Sequence, residues 1–186
     1  MVQRNSRSSD QGWVVLIPRL PAEPSRHRVA VWRELRRAGA VQLGQGSWAM
    51  PTAASAADVV SKIRDLVDRG DGEVLVLDAA GGDPATAARL TELYDDARRA
   101  EWAEFGSECD KCIAELRREI DNEKFTLAEL DEKKQNVDRL RRWHRELLMR
   151  DLFGAVAHAG PRERLDACFA ELERFSDLVY RAVGLA

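Results

Sequence analysis

The sequence lacks the features of several protein classes. No uncharged stretch approaches the roughly 20 apolar residues that a membrane-spanning helix needs, and 33% of the residues are charged. The three cysteines are too few and too widely spaced for the disulfide framework of a small secreted domain. We therefore expect a cytoplasmic protein with reduced thiols, no structural disulfide and no membrane association.

Catalytic signatures are missing as well. The sequence contains no G-x-S-x-G, H-E-x-x-H, G-x-x-x-x-G-K-[ST] or G-x-G-x-x-G motif. Cys109 and Cys112 have C-x-x-C spacing, but no second pair completes a zinc site, and we interpret them and Cys168 as interior residues. His144 lies on an apolar seam, either as a hydrogen-bonded core residue or as a pH-sensing or ligand-binding group. We predict no enzyme, no metal and no cofactor.

Charge is plentiful and unevenly divided along the chain. Residues 1–52 contain eight arginines and three acidic residues, so their net charge is 8 − 3 = +5. The remainder has 21 basic and 29 acidic residues, a net charge of −8. A basic amino-terminal third suits an anionic partner such as nucleic acid, whereas the acidic remainder argues against binding along the whole length.

The first part of the chain alternates between strand and helix patterns. The predicted elements are a strand over 13–20, a helix over 24–38, strands over 40–43 and 47–50, a helix after Ser55, and a buried strand over 73–78. Ser55 followed by Asp58 approximates a capping box at the start of the second helix. The β-α-β-β-α-β order is that of a ferredoxin-like fold.

The second part has only helical patterns. One helix is predicted from Pro84 towards Asn122, with Gly106 as the place for a bend, and the last helix follows Gly160-Pro161. Between them, Thr126 with Glu129 forms a complete capping box. The apolar seams are Leu130, Val137, Leu140 and Leu147 in the middle helix, then Leu165, Cys168, Phe169, Leu172, Phe175, Val179 and Val183 in the last.

The sequence thus predicts an α+β protein with two domains. Residues 1–11 are a disordered lead-in, residues 12–80 a ferredoxin-like α/β module, and residues 83–186 an all-α helical hairpin domain.

A basic face on the first helix is the strongest candidate site. Val31, Trp32 and Leu35 cluster on one side, and three arginines lie within roughly 40° of each other on the opposite side. Guanidinium groups in such a row can bind phosphates, but such a row is also typical of a solvated face that pairs with acids of the helical domain. The candidate DNA-binding residues are Arg19, Arg26, Arg28, Arg33, Arg36 and Arg37.

Several segments carry a family resemblance. Trp13-Val-Val-Leu-Ile17, the run from Val31 to Val41, and Ser47-Trp-Ala-Met-Pro51 resemble the amino-terminal domain of the ChrB chromate-resistance regulators. Phe125-Thr-Leu-Ala-Glu-Leu130 and Arg150-Asp-Leu-Phe-Gly154 extend the resemblance to residues 12–183. It implies a cytoplasmic transcription regulator that binds the promoter of a chromate-efflux operon and releases it when chromate enters the cell. We also expect a homodimer, and an effector that is chromate or another oxyanion.

The same resemblance has limits. The α/β part is also similar to the ferredoxin-like domains of PaaX repressors and of CRISPR-associated nucleases, but Ile17-Pro-Arg-Leu20 lacks the nuclease acid, so nuclease activity is not expected. ChrB proteins also resemble fusions with a carboxyl-terminal chromate-handling domain, which we expect this chain to lack. Two alternatives therefore stay open: a non-catalytic protein-interaction or accessory protein, and an oxyanion-binding sensor.

Overall fold

A computed structural model describes residues 12–53 and 55–185 of the chain. The lead-in predicted for residues 1–11 lies outside the described residues. Two compact units divide inside a long helix, between Ala97 and Arg98. No helix in the described ranges has an apolar stretch long enough to cross a membrane.

The first unit is built on one four-stranded sheet. Its elements are β1 (Trp13–Arg19), α1 (Ser25–Arg37), β2 (Val41–Gly44), β3 (Ser47–Pro51), α2 (Ala56–Asp68) and β4 (Glu73–Ala79). The strand order is β2-β3-β1-β4, and every neighbouring pair is antiparallel. This order confirms the predicted ferredoxin-like βαββαβ arrangement.

Both α1 and α2 contribute to one buried cluster with the sheet. Side chains alternate between the two faces of a strand, so Val14 and Leu16 of β1 belong to this cluster while Val15 and Ile17 point to the opposite face. The cluster includes Val14, Leu16, Trp48 and Met50 from the strands and Val31, Leu35, Ile63 and Val67 from the helices. Burial of Val31 and Leu35 fixes the rotation of α1, and its opposite side is left to solvent.

Strand β4 is an edge strand with one open face, which corrects the prediction of a buried strand. Val74 and Val76 pack against the helix-covered core, whereas Leu77 is 50% exposed and Leu75 is 42% exposed. An apolar run is compatible both with a strand buried on two faces and with an edge strand buried on one, because its composition does not reveal how many faces of the sheet are covered.

The two predicted capping boxes have different outcomes. The Thr126 hydroxyl oxygen accepts a hydrogen bond from the backbone N–H of Glu129 at 3.2 Å, which confirms the cap, while the Thr126 N–H donates to the backbone oxygen of Lys124 and not to the Glu129 side chain. Ser55 precedes α2, but its side chain makes no capping hydrogen bond. Its backbone is already helical, with φ −79° and ψ −9°, whereas a capping serine normally has an extended backbone. The box predicted at Ser55 is therefore wrong.

Three long helices complete the chain: α3 (Pro84–Asp121), α4 (Leu127–Arg150) and α5 (Ala159–Ala182). The turn over 122–126 reverses the chain, so that Leu116 of α3 and Leu130 of α4 share one core with Phe175 of α5. The whole predicted seam of α4 is buried, together with His144. The predicted helical architecture is confirmed.

Details of these helices differ from the sequence predictions. Helix α5 begins at Ala159, before the predicted start, because Pro161 is tolerated within a first helical turn. Val183 lies just beyond the end of α5 and is 40% exposed, so it does not belong to the apolar face. Helix α3 is continuous through Gly106, and a Cβ atom added there would come close to the guanidinium of Arg164, the end of a flexible side chain that would have to move aside.

Candidate nucleic-acid interface

Helix α1 presents a dense row of cations. Its 13 residues include five arginines and one glutamate, a net charge of 5 − 1 = +4 with His27 neutral. All five arginines are exposed, because Val31 and Leu35 occupy the side that packs on the sheet. Five of the six predicted site residues therefore lie on one helix: Arg26, Arg28, Arg33, Arg36 and Arg37.

Some of the predicted arginines already have protein partners. At the end of β1, Arg19 forms an exposed ion pair with Glu73 at 3.0 Å. Arg28 donates to the backbone oxygen of Pro21 at 3.2 Å. The Arg37 Nε donates to Glu34 Oε2 at 2.9 Å. This hydrogen bond lowers the pKa of the Glu34 carboxyl, against the opposing effect of partial burial. Both ion pairs lie within the first unit.

Two arginines have no such partner. Among residues 12–53 and 55–185, the structure gives Arg26 and Arg33 no hydrogen bond and no ion pair, and both side chains are exposed. A guanidinium in this state keeps all five donors available for an external acceptor. Arg26 and Arg33 are therefore the strongest phosphate-binding candidates of the six predicted residues.

Trp32 is a residue that sequence reasoning misplaced. The helical wheel puts it with Val31 and Leu35, but these two are buried whereas Trp32 is 46% exposed. The guanidinium carbon of Arg36 lies 5.2 Å from the centroid of the indole ring, in a cation–π contact. The signal in the sequence is the spacing of four residues between Trp32 and Arg36, which places both on one side of the helix.

The helical unit contains a second group of polar residues, centred on Asp151. The Asp151 carboxylate is buried and accepts hydrogen bonds from Trp102 Nε1 at 3.0 Å and from the backbone N–H of Ala155 at 2.8 Å. His158 Nε2 lies 2.9 Å from the same carboxylate. Burial raises the pKa of Asp151, but the three hydrogen bonds outweigh it and lower the pKa overall. This cluster ties together α3, the end of α4 and the start of α5.

His144 lies beside this cluster. Its ring centroid is 5.5 Å from those of Trp102 and Phe105, and its Nε2 atom has no hydrogen-bond partner in the described part of the chain. Burial lowers the pKa of His144, and the charges of His158 and Arg162 lower it further. His144 is therefore held neutral at pH 7 within an aromatic surrounding.

The three thiols are buried and free. Cys109 and Cys112 lie inside α3, and the Cys168 thiol of α5 donates to the backbone oxygen of Cys109 at 3.5 Å. The hydrogen bond with Cys168 and burial raise the pKa of Cys112, and the bond with Cys109 raises that of Cys168 to about 12. A protonated thiol is a poor nucleophile, which applies to Cys112 and Cys168, whereas the hydrogen bond with Cys168 lowers the pKa of Cys109. Across the described ranges, no group of three His, Cys, Asp or Glu side chains is placed to hold a metal ion.

A cleft of about 810 Å³ lies in the helical unit, with Trp102 in its wall. Its charged lining residues are Arg99, Asp110, Glu163 and Arg164. Two positive and two negative side chains balance each other, and Arg164 faces Asp110 at 3.8 Å. The electrostatics of this cleft therefore favour a small anion less than those of α1 do.

Comparison with known proteins identifies the family. The sequence model of the family described as "Protein ChrB, N-terminal" matches residues 28–185, a range that contains most of α1 and all later elements. The chain is also similar to Protein ChrB of Cupriavidus metallidurans, with 26% identity over 98 residues, which covers 53% of this chain and 30% of that protein. The family match confirms the resemblance seen in the sequence. This chain belongs to the ChrB N-terminal family.

Proposed function

We propose that this chain is a DNA-binding transcriptional regulator linked to chromate resistance, with α1 as its DNA-contacting element. In this proposal, Arg26 and Arg33 bind phosphates directly, and Arg36 and Arg37 assist from the same helix. Arg28 and Arg19 contribute less, because the backbone of Pro21 and the carboxylate of Glu73 already occupy part of their donors.

The observation that carries the proposal is the state of Arg26 and Arg33. Both lie exposed on a helix of net charge +4 without protein partners among the described residues. They are separated by seven residues, or about 10 Å along the helix axis, a distance that lets them reach different phosphates. Contacts of this kind supply most of the sequence-independent affinity of proteins for DNA.

Charge reversal of both residues tests the proposal. The variant Arg26→Glu with Arg33→Glu should bind the DNA upstream of the protein's own gene at least tenfold more weakly. The slope of log affinity against log salt should fall by roughly one for each lost contact. The matched control is Arg142→Glu with Arg145→Glu, the same charge change at exposed positions of α4. Equal affinity for wild type and the α1 variant would rule the assignment out.

Dimerisation and an effector belong to the same proposal. One short helix reaches few phosphates, and a homodimer would double the number of contacts and read two half-sites. The family link supports chromate, or another oxyanion, as the effector that releases DNA. Sedimentation of the chain with and without promoter DNA, followed by addition of chromate or sulfate, tests both points.

A protein-interaction or accessory role is the second candidate. At the end of α4 and just beyond it, Leu148, Met149 and Leu152 are all exposed, Met149 by 71%. Neighbouring exposed apolar side chains are typical of surfaces that bind other proteins. If Met149→Ser abolishes the function of the protein in cells while the arginine variants of α1 leave that function intact, this second candidate replaces the first.

A further inference from the structure

The exposed indole of α1 has no role in phosphate binding. Trp32 is 46% exposed and lies next to Arg33 and four residues from both Arg28 and Arg36, whereas the buried residues of α1 are Val31 and Leu35. Val29, one turn earlier on the same side, is 41% exposed. An apolar ring among cations is thus presented to solvent at the centre of the basic helix.

The geometry around Trp32 is that of a stacking platform. The guanidinium of Arg36 lies over the ring at 5.2 Å from its centroid, so a flat cation covers one part of the indole. A nucleobase is also flat and polarisable, and it can stack on an indole or on a guanidinium plane. The phosphates on either side of the stacked base can be bound by Arg33, which is adjacent in sequence to Trp32, and by Arg26, because both have hydrogen-bond donors without partners among the described residues.

We infer that Trp32 and Arg36 form a stacking site for an unpaired nucleobase, so that α1 binds single-stranded nucleic acid through base stacking in addition to phosphate contacts. The phosphate part of this inference rests on the proposed function. The stacking part does not, because it comes from the exposure of Trp32 and its contact with Arg36.

The net charge of α1 favours a nucleic acid over a protein as the ligand of the Trp32 site. A net charge of +4 over 13 residues repels most protein surfaces except strongly acidic ones, whereas a nucleic-acid strand offers regular negative charge together with flat apolar bases. In a duplex the base faces are already stacked on each other and are not available to an indole. The contribution of Trp32 should therefore appear with unpaired strands and be absent with duplex DNA.

The test compares three probes with the full chain: oligothymidine, an abasic strand of the same length, and a duplex. Trp32→Ala should weaken oligothymidine binding by roughly five- to a hundredfold and leave the abasic strand, the duplex and the salt slope unchanged. Trp32→Phe should keep most of the affinity, because it keeps a ring, whereas Trp32→Leu should behave like the alanine variant. Val29→Ala, with a similar exposure, is the matched control.

The outcomes separate the two proposals. If Trp32→Ala leaves oligothymidine binding unchanged, or weakens the abasic strand equally, stacking is ruled out while the arginine result still decides the proposed function. If wild type binds none of the three probes, the stacking inference fails, and binding to the DNA upstream of the protein's own gene still decides the proposed function. Polyglutamate of equal charge serves as a competitor. If it displaces oligothymidine, and if its own binding is weakened by Trp32→Ala to the same extent, the inference is overturned in favour of an acidic protein partner.

Discussion

In the first unit the arginines of α1 lie on the surface, whereas the helical unit encloses several charged side chains in its core. Glu119, Lys133 and Asp151 are each at most 6% exposed, and each has partners in the same unit. A buried charge must be paired, so it holds helices together and is not available to a ligand. An exposed charge contributes little to stability and remains available. Binding and stability should therefore depend on different units.

The largest effect expected from this contrast is at Asp151. Asp151→Ala removes the acceptor of Trp102 Nε1, Ala155 N–H and His158, and it leaves buried donors without partners. We expect a loss of about 3 kcal/mol in the free energy of unfolding, measured with urea. The matched control is Asp138→Ala, whose ion pair with Arg141 is exposed and worth about 0–1 kcal/mol. Equal losses in both variants would remove the contrast between buried and exposed charge.

Acidification should weaken the helical unit in two steps. The folded-state pKa of His144 lies below its ordinary value of 6.5, so unfolding takes up a proton and stability falls as the pH drops below 6.5. The pKa of Asp151 is also lowered from 3.8. Its stabilising effect is therefore complete above that value and is lost below it. Urea unfolding at several pH values measures both steps. His144→Leu should abolish the first step only, and an unchanged slope would contradict the assignment.

The fold could be predicted because each element buries one regular face. In β1 the short apolar run Trp13-Val-Val-Leu-Ile17, rich in β-branched residues, marks a strand, and in α4 the spacing of Leu130, Val137 and Leu140 marks a helix. Such local patterns of composition and spacing are displayed directly by the sequence. The arrangement of the four strands could then be predicted, because the β-α-β-β-α-β succession is typical of the ferredoxin-like fold.

The candidate sites were harder to predict, since they depend on contacts between distant residues. Trp102 and Asp151 are 49 residues apart, and no periodic pattern links them. Trp32 follows Val31 by one residue, or about 100° around the helix, which leaves a helical wheel undecided about its burial. The pair Glu34 and Arg37 was within reach, because its spacing of three residues is a local signal.

A smaller effect separates the two predicted caps. Thr126→Ala removes the hydrogen bond that the Glu129 N–H donates, and we expect a loss of about 1 kcal/mol in the free energy of unfolding. Ser55→Ala removes no capping hydrogen bond, so its loss should be near zero. The two variants are matched in kind, and thermal unfolding compares them. A larger loss for Ser55→Ala would mean that its hydroxyl forms the cap in solution.

A small effect on stability is also expected at Arg33, and this residue gives the most direct comparison with the helical unit. Arg33→Ala removes an exposed side chain without a described partner, so the free energy of unfolding should change by less than about 0.5 kcal/mol. The salt slope of promoter binding should nevertheless fall by about 0.9, the value of one phosphate contact. Arg98 is the matched residue of the helical unit, buried and paired with Glu101 at 3.1 Å. Arg98→Ala should reverse the pattern, with clear destabilisation and an unchanged slope, because its charge is used within the fold.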